Sequence, residues 1–147
     1  MDYIKIRFGG SLDQFRNELA RTIESLFGET APFSMSPRTW RPPMDIHETA
    51  DEIVMVCLLA GVEKDDVEVE MDNRAVRISG MRKEPPRNPD ARFHLAEIPY
   101  GKFERILVLP VPVDPEKTVA TFSNGTLEIR MKKLNQAGRR VVKVTRG

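Results

Sequence analysis

Two histidines, His47 and His94, a single cysteine, Cys57, and the acidic trio Glu63, Asp65 and Asp66 are the side chains here whose types could do chemistry. The histidines stand far apart, and no CxxC, HExxH or His-rich spacing accompanies them, so no metal is expected. There is no glycine-rich phosphate loop and no dinucleotide fingerprint, so no nucleotide or other cofactor is expected either. Ser79-Gly80 lacks the glycine-flanked elbow of a hydrolase. The acidic trio reads as a solvated turn. Cys57 lies inside an apolar run, where a thiol behaves as a small buried hydrophobe. A lone cysteine cannot close an internal disulfide. These residues point away from catalysis and towards binding.

Composition narrows the binding partners. The 147 residues are 31% charged with a net charge of +1. Such balance gives no global attraction to nucleic acid or to an anionic membrane. No apolar run approaches the roughly 20 residues that span a bilayer, so stable membrane insertion is not expected. No secretory signal is visible at the start. With the reduced thiol, these features favour the cytoplasm.

Three regions differ along the chain. Residues 1–43 hold six of the ten aromatic side chains. Ser11 to Gly28 has a capping-box start and a glycine stop, which predicts a helix. Its apolar stripe contains Leu12, Phe15, Leu19, Ile23, Leu26 and Phe27 at spacings of three and four. Ala31 to Pro43 reads as a proline-rich linker. Residues 44–134 read as a run of strands. Ile53 to Leu59 is continuously apolar, which suits a strand covered on both faces. Val67, Val69 and Met71 alternate with Glu68 and Glu70, and Val76 and Ile78 flank Arg77. Lys102 to Leu109 is a further strand. Asn124-Gly125 is a strong hairpin signal, followed by the alternating Leu127, Ile129 and Met131. Short strands separated by turns about every 8–12 residues predict an all-β, immunoglobulin-like antiparallel β-sandwich. Met81 to Tyr100 interrupts the rhythm with a long loop, in which Arg92 to Ala96 is a candidate short strand. Residues 135–147 form a polar, basic extension ending in Val141-Val142-Lys143-Val144. A solubilising tail is preferred there to a nucleic-acid contact, since no aromatic residue is interleaved.

Several stretches together resemble the small heat shock proteins and their α-crystallin domain, in the bacterial and plant branch. Ala120-x-x-x-Asn124-Gly125-Thr126-Leu127 is similar to the A-x-x-x-N-G-V-L signature, with threonine for valine. Gly101-x-Phe103-x-Arg105 followed by Leu109-Pro110 resembles G-x-F-x-R…L-P. Leu59-Ala60-Gly61-Val62 stands for L-P-G-V, with alanine for proline. Val76-x-Ile78-x-Gly80 is similar to L-x-I-x-G. The match runs in order from about Arg41 to Lys133.

The resemblance implies an ATP-independent chaperone that holds partly unfolded client proteins in solution. It implies a homo-oligomer built from strand-swapped dimers. Arg92, Phe93, His94, Leu95, Ala96 and Arg105 are then the dimer candidates. Val142 and Val144 resemble the I/V-x-I/V tail motif, which would enter a groove beside Val69, Met71 and Val119. The aromatic arm, with Phe8 and Phe33 added to the helical stripe, either contacts clients or is buried between subunits. A p23-like adaptor that binds one specific partner is the alternative use of the same fold.

Overall fold

The structure is a computed structural model, and it describes residues 2–9 and 39–134. The Asn124-Gly125 turn shows how local chemistry sets the architecture. Asn124 has φ 52° and Gly125 φ 71°, the left-handed pair that a two-residue hairpin of this twist requires. The turn joins β8 (Val113–Ser123) to β9 (Thr126–Lys133). In the resulting register Phe122 faces Leu127 and Ala120 faces Ile129. All four side chains are buried. A slip of β9 by one residue would turn Leu127 and Ile129 from the core to solvent.

Seven further strands complete two sheets: β1 (Asp2–Ile4), β2 (Ile6–Phe8), β3 (Met44–Glu48), β4 (Glu52–Leu58), β5 (Val67–Met71), β6 (Ala75–Arg82) and β7 (Gly101–Val108). One sheet has the order β1-β8-β9-β4-β3, the other β2-β5-β6-β7. All pairings are antiparallel except β2 on β5. This is the expected β-sandwich. The helix expected over Ser11 to Gly28 lies outside the described residues.

The core lies between the sheets and is built from the period-two residues. Val69, Met71, Ile78, Leu127, Ile129 and Met131 are fully buried. Between β5 and β6 the Asp72 carboxylate accepts hydrogen bonds from the backbone N–H groups of Arg74 (2.7 Å) and Ala75 (2.9 Å), closing a tight turn. The register of β8 shifts between Val113 and Thr118, around Pro115, which has no N–H to give to the ladder.

One expectation needs correction. The apolar run Ile53–Leu59 forms β4 with only one face fully covered. Ile53, Met55, Cys57 and Leu59 enter the core. The opposite face goes from buried Val54, through half-buried Val56, to exposed Leu58. An unbroken apolar run hides this alternation, because period two is visible only where polar residues mark the outer face.

The glycine of the hairpin is held from two sides. A Cβ on Gly125 would stand 2.9 Å from Ala60 Cα. The Gly125 carbonyl meanwhile accepts the Leu59 N–H at 2.6 Å. We predict that Gly125→Val lowers stability by about 2 kcal/mol or more, combining left-handed strain with overpacking. Thermal unfolding checks this, with a midpoint lower by about 10 °C expected for a domain of this size. An unchanged midpoint would contradict the assigned turn.

Candidate functional site

A sandwich made of open sheets presents backbone edges, and these edges are the sites that the described residues offer. The two sheets have four edge strands: β1 and β3 in one, β2 and β7 in the other. Part of the β7 edge is covered locally. The Trp40 N–H donates to the Lys102 carbonyl at 3.0 Å, and the Glu104 N–H donates to the Trp40 carbonyl at 3.2 Å. The Trp40 ring packs 5.3 Å from the Phe103 ring, with the Arg82 guanidinium 4.0 Å above its centre. Arg82 also donates to the carbonyls of Ala60 and Pro99, both at 2.9 Å. Arg82 therefore ties the turn after β4, the end of the long loop and Trp40 together. By contrast, among the described residues no strand pairs with the outer edge of β3. Four of its five residues, including Ile46, are exposed.

The second site is the cleft where β8 of one sheet faces β5 of the other. The N-terminal strands occupy it. Ile4 pairs with Ala120 of β8, and Ile6 with Val69 of β5. Ile4 is buried in the core, and Ile6 is half-buried against it. Arg7 donates to Glu68 at 2.9 Å and approaches Glu70 at 3.8 Å. An apolar cleft of about 470 Å³ remains beside them, lined by Tyr3, Phe8, Thr118 and Val119 among others.

The long loop after β6 forms the third surface. Arg92–Ala96 is not a strand in the single chain, contrary to the short strand considered from sequence. A strand needs a neighbour for its N–H and C=O groups, and among the described residues it has none. Phe93, Leu95 and Ile98 are 59%, 74% and 61% exposed. Arg87 lies 4.3 Å above the Phe93 ring.

The remaining expected residues fall as follows. Val69 and Met71 are fully buried in the core between the sheets, whereas Val119 is 47% exposed and lines the cleft. Phe8 is exposed on β2. Arg105 is half-buried and donates to the Pro42 carbonyl at 2.9 Å. Burial lowers its pKa, and the nearby Arg41 charge lowers it further. Leu12, Phe15, Leu19, Ile23, Leu26, Phe27, Phe33, Val142 and Val144 lie outside the described residues. The sequence reading missed Ile4-Lys5-Ile6 as a groove element. Its signal was present, because β-branched–Lys–β-branched is also the pattern of Val142-Lys143-Val144.

Among the described residues no group of three or more His, Cys, Asp or Glu side chains could hold a metal ion, and no helix is long and apolar enough to cross a membrane. Edges, a cleft and an apolar loop define a binding sandwich. The comparisons then supply the family. Residues 45–145 match the Hsp20/alpha crystallin family, and the chain belongs to it. Small heat shock protein C2 of Rickettsia felis is 30% identical over 132 residues, covering 88% of this chain and 86% of its own length. Heat shock protein 16.0 of Schizosaccharomyces pombe superposes with TM-score 0.60 and 30% identity, over 65% of this chain and 88% of that one. A small heat-shock protein of Xylella fastidiosa, described as having a distinct high order structure, gives TM-score 0.57 and 34% identity over 65% and 87%. A chaperone role follows from the family.

Cys57 is the one thiol, and its surroundings make it inert. Burial pushes its pKa up to about 11, against the opposing pull of Arg105. Only the thiolate reacts with alkylating agents. We predict no labelling of the native protein by iodoacetamide at pH 8 over minutes, with full labelling in denaturant, read by intact mass. Rapid native labelling would contradict the burial of β4.

Proposed function

We propose that this chain is an ATP-independent holdase, which captures partly unfolded proteins on apolar surface and keeps them from aggregating. The observation that carries this reading is the apolar surface left outside a well-formed core: Phe93, Leu95 and Ile98 on the loop, Leu58 on β4, and Phe8 and Tyr3 beside the cleft. Burying such surface contributes about 25 cal/mol per Å² whatever the client's sequence, so no energy source is required for capture. In the proposed arm, Leu12, Phe15, Leu19, Ile23, Leu26, Phe27 and Phe33 add to this surface.

Assembly belongs to the same reading. The loop segment Arg92–Ala96 finds its missing neighbour on a second copy, where the open edge of β3 offers unpaired backbone. Reciprocal exchange satisfies both edges in a closed two-fold dimer. Val142 and Val144, two apart on one strand face, dock in the β8–β5 cleft of a neighbouring subunit as an added strand. Two buried valines contribute roughly 2–5 kcal/mol before the tail's ordering cost, so each contact is weak and exchangeable while the set is firm. The cytoplasm, where a lone cysteine stays reduced, is the proposed location.

Light scattering tests the activity. Several unrelated proteins are heated with and without this chain, in the absence of nucleotide. We predict suppression of scattering for all of them at near-stoichiometric amounts. Protection of a single protein would indicate a specific adaptor, and protection at trace amounts would indicate a catalyst; either overturns the holdase.

A further inference from the structure

The β8 and β5 edges that border the cleft are already paired in this structure, by Asp2–Ile4 and Ile6–Phe8. Three observations make the pairing specific. First, the segment spans both sheets: Asp2–Ile4 adds antiparallel to β8, and Ile6–Phe8 adds parallel to β5, so a single stretch covers both edges. Second, Ile4 and Ile6 fall two residues apart, and both pack on the core while Lys5 is exposed between them. Third, charge on the outer face of β5, away from the cleft, also holds the segment. β5 carries Glu68 and Glu70, and Arg7 of the incoming segment lies against both.

The other end of the chain has the same features in sequence. Val142-Lys143-Val144 repeats the β-branched–Lys–β-branched pattern of Ile4-Lys5-Ile6. It too lies among basic residues, Arg139, Arg140 and Arg146, with no acidic residue after Met131. A second segment added to the same edges would need the strand positions that Ile4-Lys5-Ile6 holds, and both cannot occupy them at once.

We propose that Ile4-Lys5-Ile6 is a built-in occupant of the β8–β5 cleft, and that it competes with the Val142-Lys143-Val144 segment of a second copy. The proposal rests on the tail-docking reading above. Assembly through the tail then requires release of the N-terminal segment, which detaches Ile4 and Ile6 from the core they pack on. One exchange thus couples subunit association to detachment of the N-terminal segment. The apparent tail affinity is lowered by the fraction of time the cleft is open.

Two measurements on the full chain separate the parts. The first uses Val142→Ala with Val144→Ala, which removes competition from the protein's own tail. A fluorescent peptide with the sequence of residues 138–147 is titrated into this parent by anisotropy. It is then titrated into the parent carrying Ile4→Ala and Ile6→Ala, and into a milder variant carrying Ile6→Ala alone, because Ile4 belongs to the core. The second measurement follows amide hydrogen exchange of residues 67–71 and 119–123 in the same proteins. We expect peptide binding to tighten about tenfold in the double isoleucine variant, corresponding to a parent cleft open about a tenth of the time. A smaller gain of about threefold is expected for Ile6→Ala. Edge exchange should accelerate about tenfold while β6 and β9 stay protected. Unchanged edge exchange would overturn the occupied cleft. Faster exchange with equal peptide affinity would overturn the competition. Faster exchange with no peptide binding to any variant would overturn it through the tail reading instead, leaving the N-terminal occupant in place.

Discussion

An open β-sheet ends in two rows of unpaired N–H and C=O groups, and this constraint organises the rest of the molecule. Such an edge left bare is a template for uncontrolled association. The chain meets the problem differently at each edge. Trp40 covers part of β7 through two backbone hydrogen bonds. The segment from Asp2 to Phe8 covers β8 and β5. Among the described residues the β3 edge has no partner, and the loop at 92–96 joins no strand. In the proposed dimer these two needs of complementary kind are met by a second copy. In that reading, pairing with copies of itself completes the fold, and the proposed client capture uses the same surface.

The sequence motifs are contacts with one another. A side chain on Gly80 would overlap the Asp66 carbonyl and stand 2.5 Å from the Phe103 ring, so V-x-I-x-G and G-x-F describe the two sides of one packing contact. Gly125 sits against Ala60 in the same manner, joining the N-G hairpin to the L-A-G-V turn. Alanine in place of the usual proline at position 60 leaves this contact intact. Gly101, with φ 96°, opens β7 where no space is contested, so backbone conformation alone asks for glycine there. On the outer face of the second sheet, Arg77 reaches Glu104 at 2.7 Å and Glu70 at 3.3 Å, linking β5, β6 and β7.

Much of this was legible from residue order. Turn chemistry at Asn124-Gly125 and alternation in β5, β6 and β9 located the sandwich and most of its core. Two features were harder to read. The outer face of β4 was overstated as covered, because Val54, Val56 and Leu58 carry no polar marker. Ile4-Lys5-Ile6 was passed over because three-residue strands have almost no periodicity, and their partners lie more than 60 residues away. Strand pairing at that separation depends on the three-dimensional position of the edges. The loop at 92–96 shows the reverse case: its side chains suit a strand, but a single chain gives it no neighbour to pair with.

Native mass spectrometry of the full chain at micromolar concentration tests the central claim most directly, since completion of the edges by other copies must appear as stoichiometry. The account predicts assemblies with even subunit numbers, which dissociate through dimers as the solution is diluted. A population dominated by monomer, or by odd-numbered species with no dimeric intermediate, would contradict it.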